Sequence, residues 1–184
     1  PDSPQRPVRY KALTAGKTLY MAVPKLAAEK PFIELDPSTL APNQYWTASS
    51  IKGAFELGKP VSLEEMPKID AIVTGCVAVS RLGERLGKGG GYSDLEYALL
   101  RQQGLISEET PIMTTVHPSQ IVEDNEIPLT DHDIAVDYIA TPDTCLHCPR
   151  LHTQPKGVIW DILPEAKRAA IPVLQRMWDN QDKS

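Results

Sequence analysis

The stretch that most constrains this chain is "KIDAIVTGCVAVS", residues 68–80, a nearly unbroken apolar run that passes at once into "RLGERLGKGGGYSDLE", residues 81–96. A surface helix would interleave polar residues every third or fourth position, and a strand with one wet face would alternate. The run does neither, so it predicts a strand covered on both faces, as in a parallel sheet. After the glycines, "SDLEYALLRQQG" predicts a helix with Leu95, Leu99 and Leu100 on one side and Gly104 as its stop.

The flanking segments extend this pattern. "KTLYMAVPKL" predicts a strand through Val23 that Pro24 ends, and "KPFIELDP" a second that Pro37 closes. Residues 38–70 are mixed, with a short helix and a helical turn at "SLEEMP", where Ser62 and Glu65 have capping-box spacing. "PIMTTVH" and "DIAVDYIATP" predict further buried strands, and "LPEAKRAAIPVLQRMW" a helix that Pro172 either kinks or restarts. Residues 1–16 and 143–157 are expected to be loop or extended. Strand, helix and strand alternate over 184 residues, so the expected fold is a single α/β, Rossmann-like three-layer domain with a mostly parallel sheet and right-handed crossovers.

Composition excludes several classes. With 41% hydrophobic and 23% charged residues the chain is globular in character, and its net charge of -5 argues against a broad nucleic-acid surface, leaving room only for a local basic pocket. No apolar run reaches membrane-spanning length, and "PDSPQRPVRY" lacks the apolar centre of a signal peptide. A cytoplasmic protein with no membrane partner is the expectation. Three cysteines, an odd number, predict reduced thiols.

In α/β sheets ligands sit beyond the carboxyl ends of the strands, where the glycine stretch falls. Gly87, Gly89, Gly90 and Gly91 let backbone amides approach an anion, and the helix beginning at Ser93 or Asp94 adds its partial positive charge. Arg85 and Lys88 can neutralise phosphate charge. Asp94 beside phosphates requires a cation between them, for which magnesium is suited. Two readings stand together: a nucleotide-phosphate cradle, or a tight turn with Asp94 as a helix cap. The spacing matches neither the dinucleotide fingerprint nor the Walker A pattern.

"IDAIVTGCVAV" running into "RLGKGGGYSD", with "HDIAVDYIATP" about fifty residues on, resembles the 5-formyltetrahydrofolate cyclo-ligase (methenyltetrahydrofolate synthetase) family over roughly residues 17–142. The closing "GVIWDILPEAKRAAIPVLQRM" is similar to that family's longer, divergent branch. The resemblance implies ATP- and Mg-dependent closure of 5-formyltetrahydrofolate to 5,10-methenyltetrahydrofolate, so the implied partners are ATP and a reduced folate. It assigns Arg85, Gly87, Lys88, Gly89, Gly90, Gly91 and Tyr92 to ATP binding, with Arg85 and Lys88 acting catalytically on the phosphoryl group. Asp94 would hold magnesium, and Tyr92, His132 and Asp133 would contact substrate. Ser93 stands where the family has a second tyrosine, Glu96 follows where a basic residue is common, and the alignment expects an amino-terminal helix ahead of Pro1. These departures keep an alternative open, a non-catalytic nucleotide-binding or regulatory relative.

Other residues carry paired readings. Cys145 and Cys148, with His147 and His152, would bind zinc if a tetrahedral set were completed, or are reduced thiols in a surface loop. His117 either contacts substrate or caps a loop. His132 and Asp133 contact the site or fix the turn before Ile134. Asp137 must be paired, by loop amides or a basic side chain, if it is buried. Trp46, Trp160 and Trp178 stack a heterocycle or pack.

Overall fold

The computed structural model describes residues 3–181. In chain order its main elements are α1 (Arg6–Thr14), β1 (Leu19–Ala22), β2 (Phe32–Leu35), α2 (Tyr45–Ala48), α3 (Ile51–Leu57), β3 (Lys59–Val61), β4 (Ile72–Thr74), β5 (Ala78–Ser80), β6 (Arg85–Leu86), α4 (Tyr92–Gln102), β7 (Ile112–Thr115), β8 (Ile121–Val122), β9 (Tyr138–Ala140), β10 (Cys145–His147), α5 (Glu165–Ala170) and α6 (Pro172–Gln181). They gather into two compact units, one of residues up to Met66 with those from Trp160 onward, the other Pro67–Ile159.

The first unit is built on an antiparallel sheet in the order β1-β2-β3, with Leu19 opposite Leu35 and Phe32 opposite Val61. Leu13, Met21, Val23, Ile33, Leu35, Leu40, Ala48 and Ala54 form its core. Residues 6–14 are helical rather than the expected loop, for a local reason: Pro7 sits in the first turn, where its missing N–H costs nothing, and Leu13 is fully buried. Arg6 Nη2 and Arg9 Nε, on α1, donate at 2.8 Å to the carbonyls of Trp46 and Ser49 at the end of α2. Those are among the carbonyls a helix end leaves without intrahelical partners. The capping-box spacing at Ser62 is used, since its amide donates to Glu65 Oε2 at 2.7 Å. Pro172 starts a new helix, separating α5 from α6.

The second unit carries the expected parallel strands, β4, β7 and β9, side by side with Thr74 opposite Thr114 and Thr114 opposite Ile139. β10 adds to β9 antiparallel, giving the order β10-β9-β7-β4. A second small sheet, β6-β5-β8, has one antiparallel and one parallel pairing. The α/β class therefore holds, while the sheets are mixed, and parallel pairing is confined to this unit. The apolar run of residues 68–80 is two strands in two sheets, broken at Gly75–Val77. Val73 and Val77 remain 39% and 47% exposed, so its even hydrophobicity does not reflect burial on both faces. Residues 143–157 are irregular apart from β10.

α4 is the crossover between the parallel strands β4 and β7. Tyr97, Ala98, Leu99 and Leu100 are buried, and Gly104 ends the segment at φ +69, the left-handed conformation that glycine adopts without penalty.

Candidate functional site

The glycine stretch is anchored before it begins. β5 turns through residues 81–84 into β6, and at the end of β6 the Val77 amide donates to Leu86 O at 2.7 Å. This returns the chain to the carboxyl end of β4, where residues 87–91 lead into α4. Gly91 caps α4 at φ 60, and Gly89 has φ +82 with no heavy atom within 4 Å of where a Cβ would stand. The amides of Gly89 and Gly91 meet no protein acceptor among the described residues. A Cβ on Gly90 would meet the Tyr92 ring at 2.8 Å, so that tyrosine lies against the loop. Lys88 is exposed on it.

Arg85 and Asp94, at the two ends of this loop, are joined to each other. Their side chains are only 3% and 9% exposed and form an ion pair between Arg85 Nη2 and Asp94 Oδ1. The same Oδ1 accepts the Ile134 amide at 3.1 Å, so one oxygen ties the glycine loop to the "HDIAVD" segment. Arg85 Nε is buried with no hydrogen-bond partner among the described residues. The guanidinium thus lies under the loop, 3.5 Å from where a Cβ of Gly87 would be. Asp94 Oδ2 takes no donor among the described residues.

These observations test whether the site suits a nucleotide triphosphate with its magnesium. Open backbone at Gly89 suits phosphate oxygens, which need amide donors and no side chain in the way. A carboxylate with one oxygen locked and the other undonated suits a magnesium ion that takes one protein ligand, waters and phosphates. Lys88 supplies an exposed ammonium. The residues fit the group, with Arg85 as frame beneath it.

The remaining sequence-derived positions are distributed around this frame. His132 Nδ1 is 2.9 Å from Thr130 Oγ1, and Asp133 Oδ2 accepts the Thr130 amide at 2.8 Å and its hydroxyl at 2.7 Å. Both therefore fix the turn ahead of Ile134. Asp137 is paired by a basic side chain, as expected, and by a strand amide rather than a loop amide: Arg150 grips it bidentately at 2.6 and 3.0 Å, and the Ile112 amide of β7 donates to Oδ2 at 2.8 Å. His117 caps the turn at Pro118–Gln120, its Nδ1 accepting the Ser119 amide at 3.2 Å. Trp46 packs under Arg6 and edge-on to Tyr10, and Trp160 packs against Trp178.

The zinc reading of Cys145 and Cys148 is not realised. Cys145 lies in β10 and Cys148 just beyond it, so the alternation of an extended chain sends them to opposite faces. No cluster of three metal-ligating side chains occurs among the described residues. Cys148 is buried, which with nearby Asp137 pushes its thiol up to about 11. Burial also pushes the Cys76 thiol up, against the 3.3 Å contact with Thr114 Oγ1.

Sequence reasoning missed Glu84, 4% exposed, whose Oε2 accepts the Ser80 hydroxyl at 2.8 Å and the Asn125 amide at 3.1 Å. It also missed Gly83, at φ +89, whose carbonyl accepts the Val136 amide at 2.9 Å. A Cβ there would stand 2.3 Å from Val136 O. The signal was the Gly-Glu pair in the turn, hidden by the richer glycine run beside it.

A strand, a glycine loop capped into a helix, and a downstream segment locked to both define an α/β protein with a candidate anion site at the carboxyl end of a parallel strand. The profile of the 5-formyltetrahydrofolate cyclo-ligase family matches residues 1–142. The chain belongs to that family. It is 34% identical over 185 aligned residues to the methenyltetrahydrofolate synthase domain-containing protein of Mus musculus, covering 100% of this chain and 50% of the mouse protein. The protein of the same name from Homo sapiens is 35% identical over 178 residues, covering 96% of this chain and 46% of its own. The mitochondrial 5-formyltetrahydrofolate cyclo-ligase of Arabidopsis thaliana is 40% identical over 78 residues, 40% of this chain and 27% of its own. The chain spans about half the length of the mouse and human relatives. No helix among the described residues is long and apolar enough to cross a membrane.

Proposed function

We propose that the chain carries out ATP- and magnesium-dependent conversion of 5-formyltetrahydrofolate to 5,10-methenyltetrahydrofolate, with residues 87–91 as the phosphate cradle. The observation that carries this reading is the open backbone at Gly89, set between the Arg85–Asp94 ion pair and the start of α4. ATP supplies the phosphoryl group that makes the formyl oxygen a leaving group, and magnesium spreads the charge of the transfer.

The chain's own contributions are orientation and electrostatics. Amides at Gly89 and Gly91 bind phosphate oxygens. Lys88 brings its ammonium to the transferring group, and Asp94 Oδ2 holds the metal. Arg85 does not reach the phosphates in this reading; it neutralises Asp94 from below and fixes the loop's two ends, so its catalytic part is indirect. Tyr92 sets one wall beside Gly90, and the turn of His132 and Asp133 stands next to Ile134 at the folate side.

Calorimetric titration with MgATP, followed in the same preparation by the absorbance of methenyltetrahydrofolate formed from 5-formyltetrahydrofolate, tests the reading. Binding with turnover is expected. Binding without turnover would identify the non-catalytic relative instead, and no binding would reduce the glycine stretch to a turn.

A further inference from the structure

His117 stands just past the carboxyl end of β7, the strand between β4 and β9. Because Thr74 is opposite Thr114, the chain leaving β7 runs beside the chain leaving β4. The two are stitched together by Gln120. Its Oε1 accepts the His117 amide at 2.9 Å, and its Nε2 donates to Cys76 O at 3.2 Å and Val77 O at 3.0 Å. Val77 is in turn bonded to Leu86, the residue before Gly87. A short hydrogen-bonded path therefore connects the backbone of His117 to the start of the glycine loop.

One tautomer of the imidazole suits this cap. The Ser119 amide has only a proton to give, so Nδ1 must accept it, with the Ser119 hydroxyl 2.8 Å away. With the Nδ1 lone pair committed, the neutral ring carries its proton on Nε2. The ring is exposed, and Nε2 meets no protein partner among the described residues. Capping the turn and contacting a ligand are thus two uses of two different nitrogens.

We propose that His117 is a further substrate-contacting residue, its Nε2–H donating to a phosphate oxygen of the nucleotide held by residues 87–91. The proposal rests on the phosphate-cradle reading of that loop. A pre-oriented N–H donor adds a hydrogen bond to an anionic oxygen, while the cap at Nδ1 avoids the ordering cost of a free ring.

Two substitutions separate the nitrogens. His117→Asn places an amide oxygen where Nδ1 sits and so keeps the cap, but removes the donor. His117→Gln extends an amide nitrogen toward the Nε2 position and gives up the Nδ1 acceptor. Calorimetry with MgATP is expected to show the Asn variant binding at least about tenfold more weakly at an unchanged melting temperature, with the Gln variant within roughly threefold of the wild type. A purely structural cap predicts the reverse order. Wild-type affinity in the Asn variant, alongside MgATP binding that Gly89→Ala abolishes, would overturn the proposal and leave the cradle standing. Absence of MgATP binding in the wild type would overturn both.

Discussion

The Ile134 amide donates to Asp94 Oδ1 at 3.1 Å across forty residues of sequence. Because Arg85 pairs with the same oxygen, removing any one partner disturbs a junction of three segments, not a local contact. A buried ion pair that loses one member leaves an uncompensated charge, at a cost of about 3–5 kcal/mol. Arg85→Ala should therefore lower stability by that order, seen in urea or thermal unfolding. Arg85→Met combined with Asp94→Asn, which removes both charges and keeps an oxygen for the Ile134 amide, should recover most of the loss while MgATP binding stays absent. A double variant no more stable than Arg85→Ala would show that the pair is not what holds the loop.

Gly83 and Gly89 share a left-handed backbone but differ in what surrounds them. Gly83→Ala must push a Cβ into Val136 O as well as accept the strain, so more than about 2 kcal/mol of destabilisation is expected. Gly89→Ala meets open space and should cost about 1 kcal/mol, all of it strain. Its effect should fall on MgATP affinity. Melting curves and calorimetry on the two variants read the contrast directly.

Arg150 holds Asp137, which is 3% exposed, at the start of β9. Arg150→Ala leaves that carboxylate with the Ile112 amide as its remaining donor, and a loss of roughly 2–4 kcal/mol is expected. Hydrogen exchange should show the β7–β9 ladder losing protection first. Unchanged protection there would mean that water replaces the guanidinium without penalty.

Thiol chemistry should separate the cysteines. Cys145 is exposed, whereas Cys148 is fully buried with its thiol pushed up to about 11. At pH 8 iodoacetamide should label Cys145 and leave Cys148 unmodified until denaturant is added, as read by mass spectrometry.

In the first unit, hydrogen bonds from Lys30 and the Ser62 amide hold the Glu65 carboxyl down at about 2. A carboxyl lowered on folding stabilises the native state above its unfolded value and loses that contribution as pH falls towards the folded one. The contribution should fade between about pH 4.5 and 2. Glu65→Gln should flatten the acid side of the stability profile there, and the small effect of an exposed pair should shrink further in high salt.

Much of the frame was legible because it rests on local rules. The strands at residues 19–22 and 32–35, the helix after Gly91, its stop at Gly104 and an interruption at Pro172 all follow from proline, glycine and periodicity. The break at Gly75–Val77 was not legible, since apolar composition reports affinity for burial and not which sheet supplies it. Nor was α1, whose short amphipathic pattern is masked by the prolines around it. At the site, the glycines and Asp94 announce themselves by type. The pairing of Arg85 with Asp94 does not, because an arginine near a glycine loop suggests an anion from sequence, and only three-dimensional proximity shows a carboxylate already there. Gln120 and Glu84 are ordinary residue types made specific by their partners alone.

The division of the chain into two units has a consequence for how it is made. Residues 67–159 are contiguous, while the unit on either side is discontinuous, its sheet near the start and α5 and α6 at the far end. Glu64 waits for Arg176, 3.3 Å away in the finished molecule but 112 residues later on the ribosome. During synthesis the glycine-loop unit has its whole sequence available first, whereas the antiparallel sheet must persist with its last two helices still unmade. Premature termination after residue 159 would leave the glycine loop with its own unit intact and deprive the other of its closing helices.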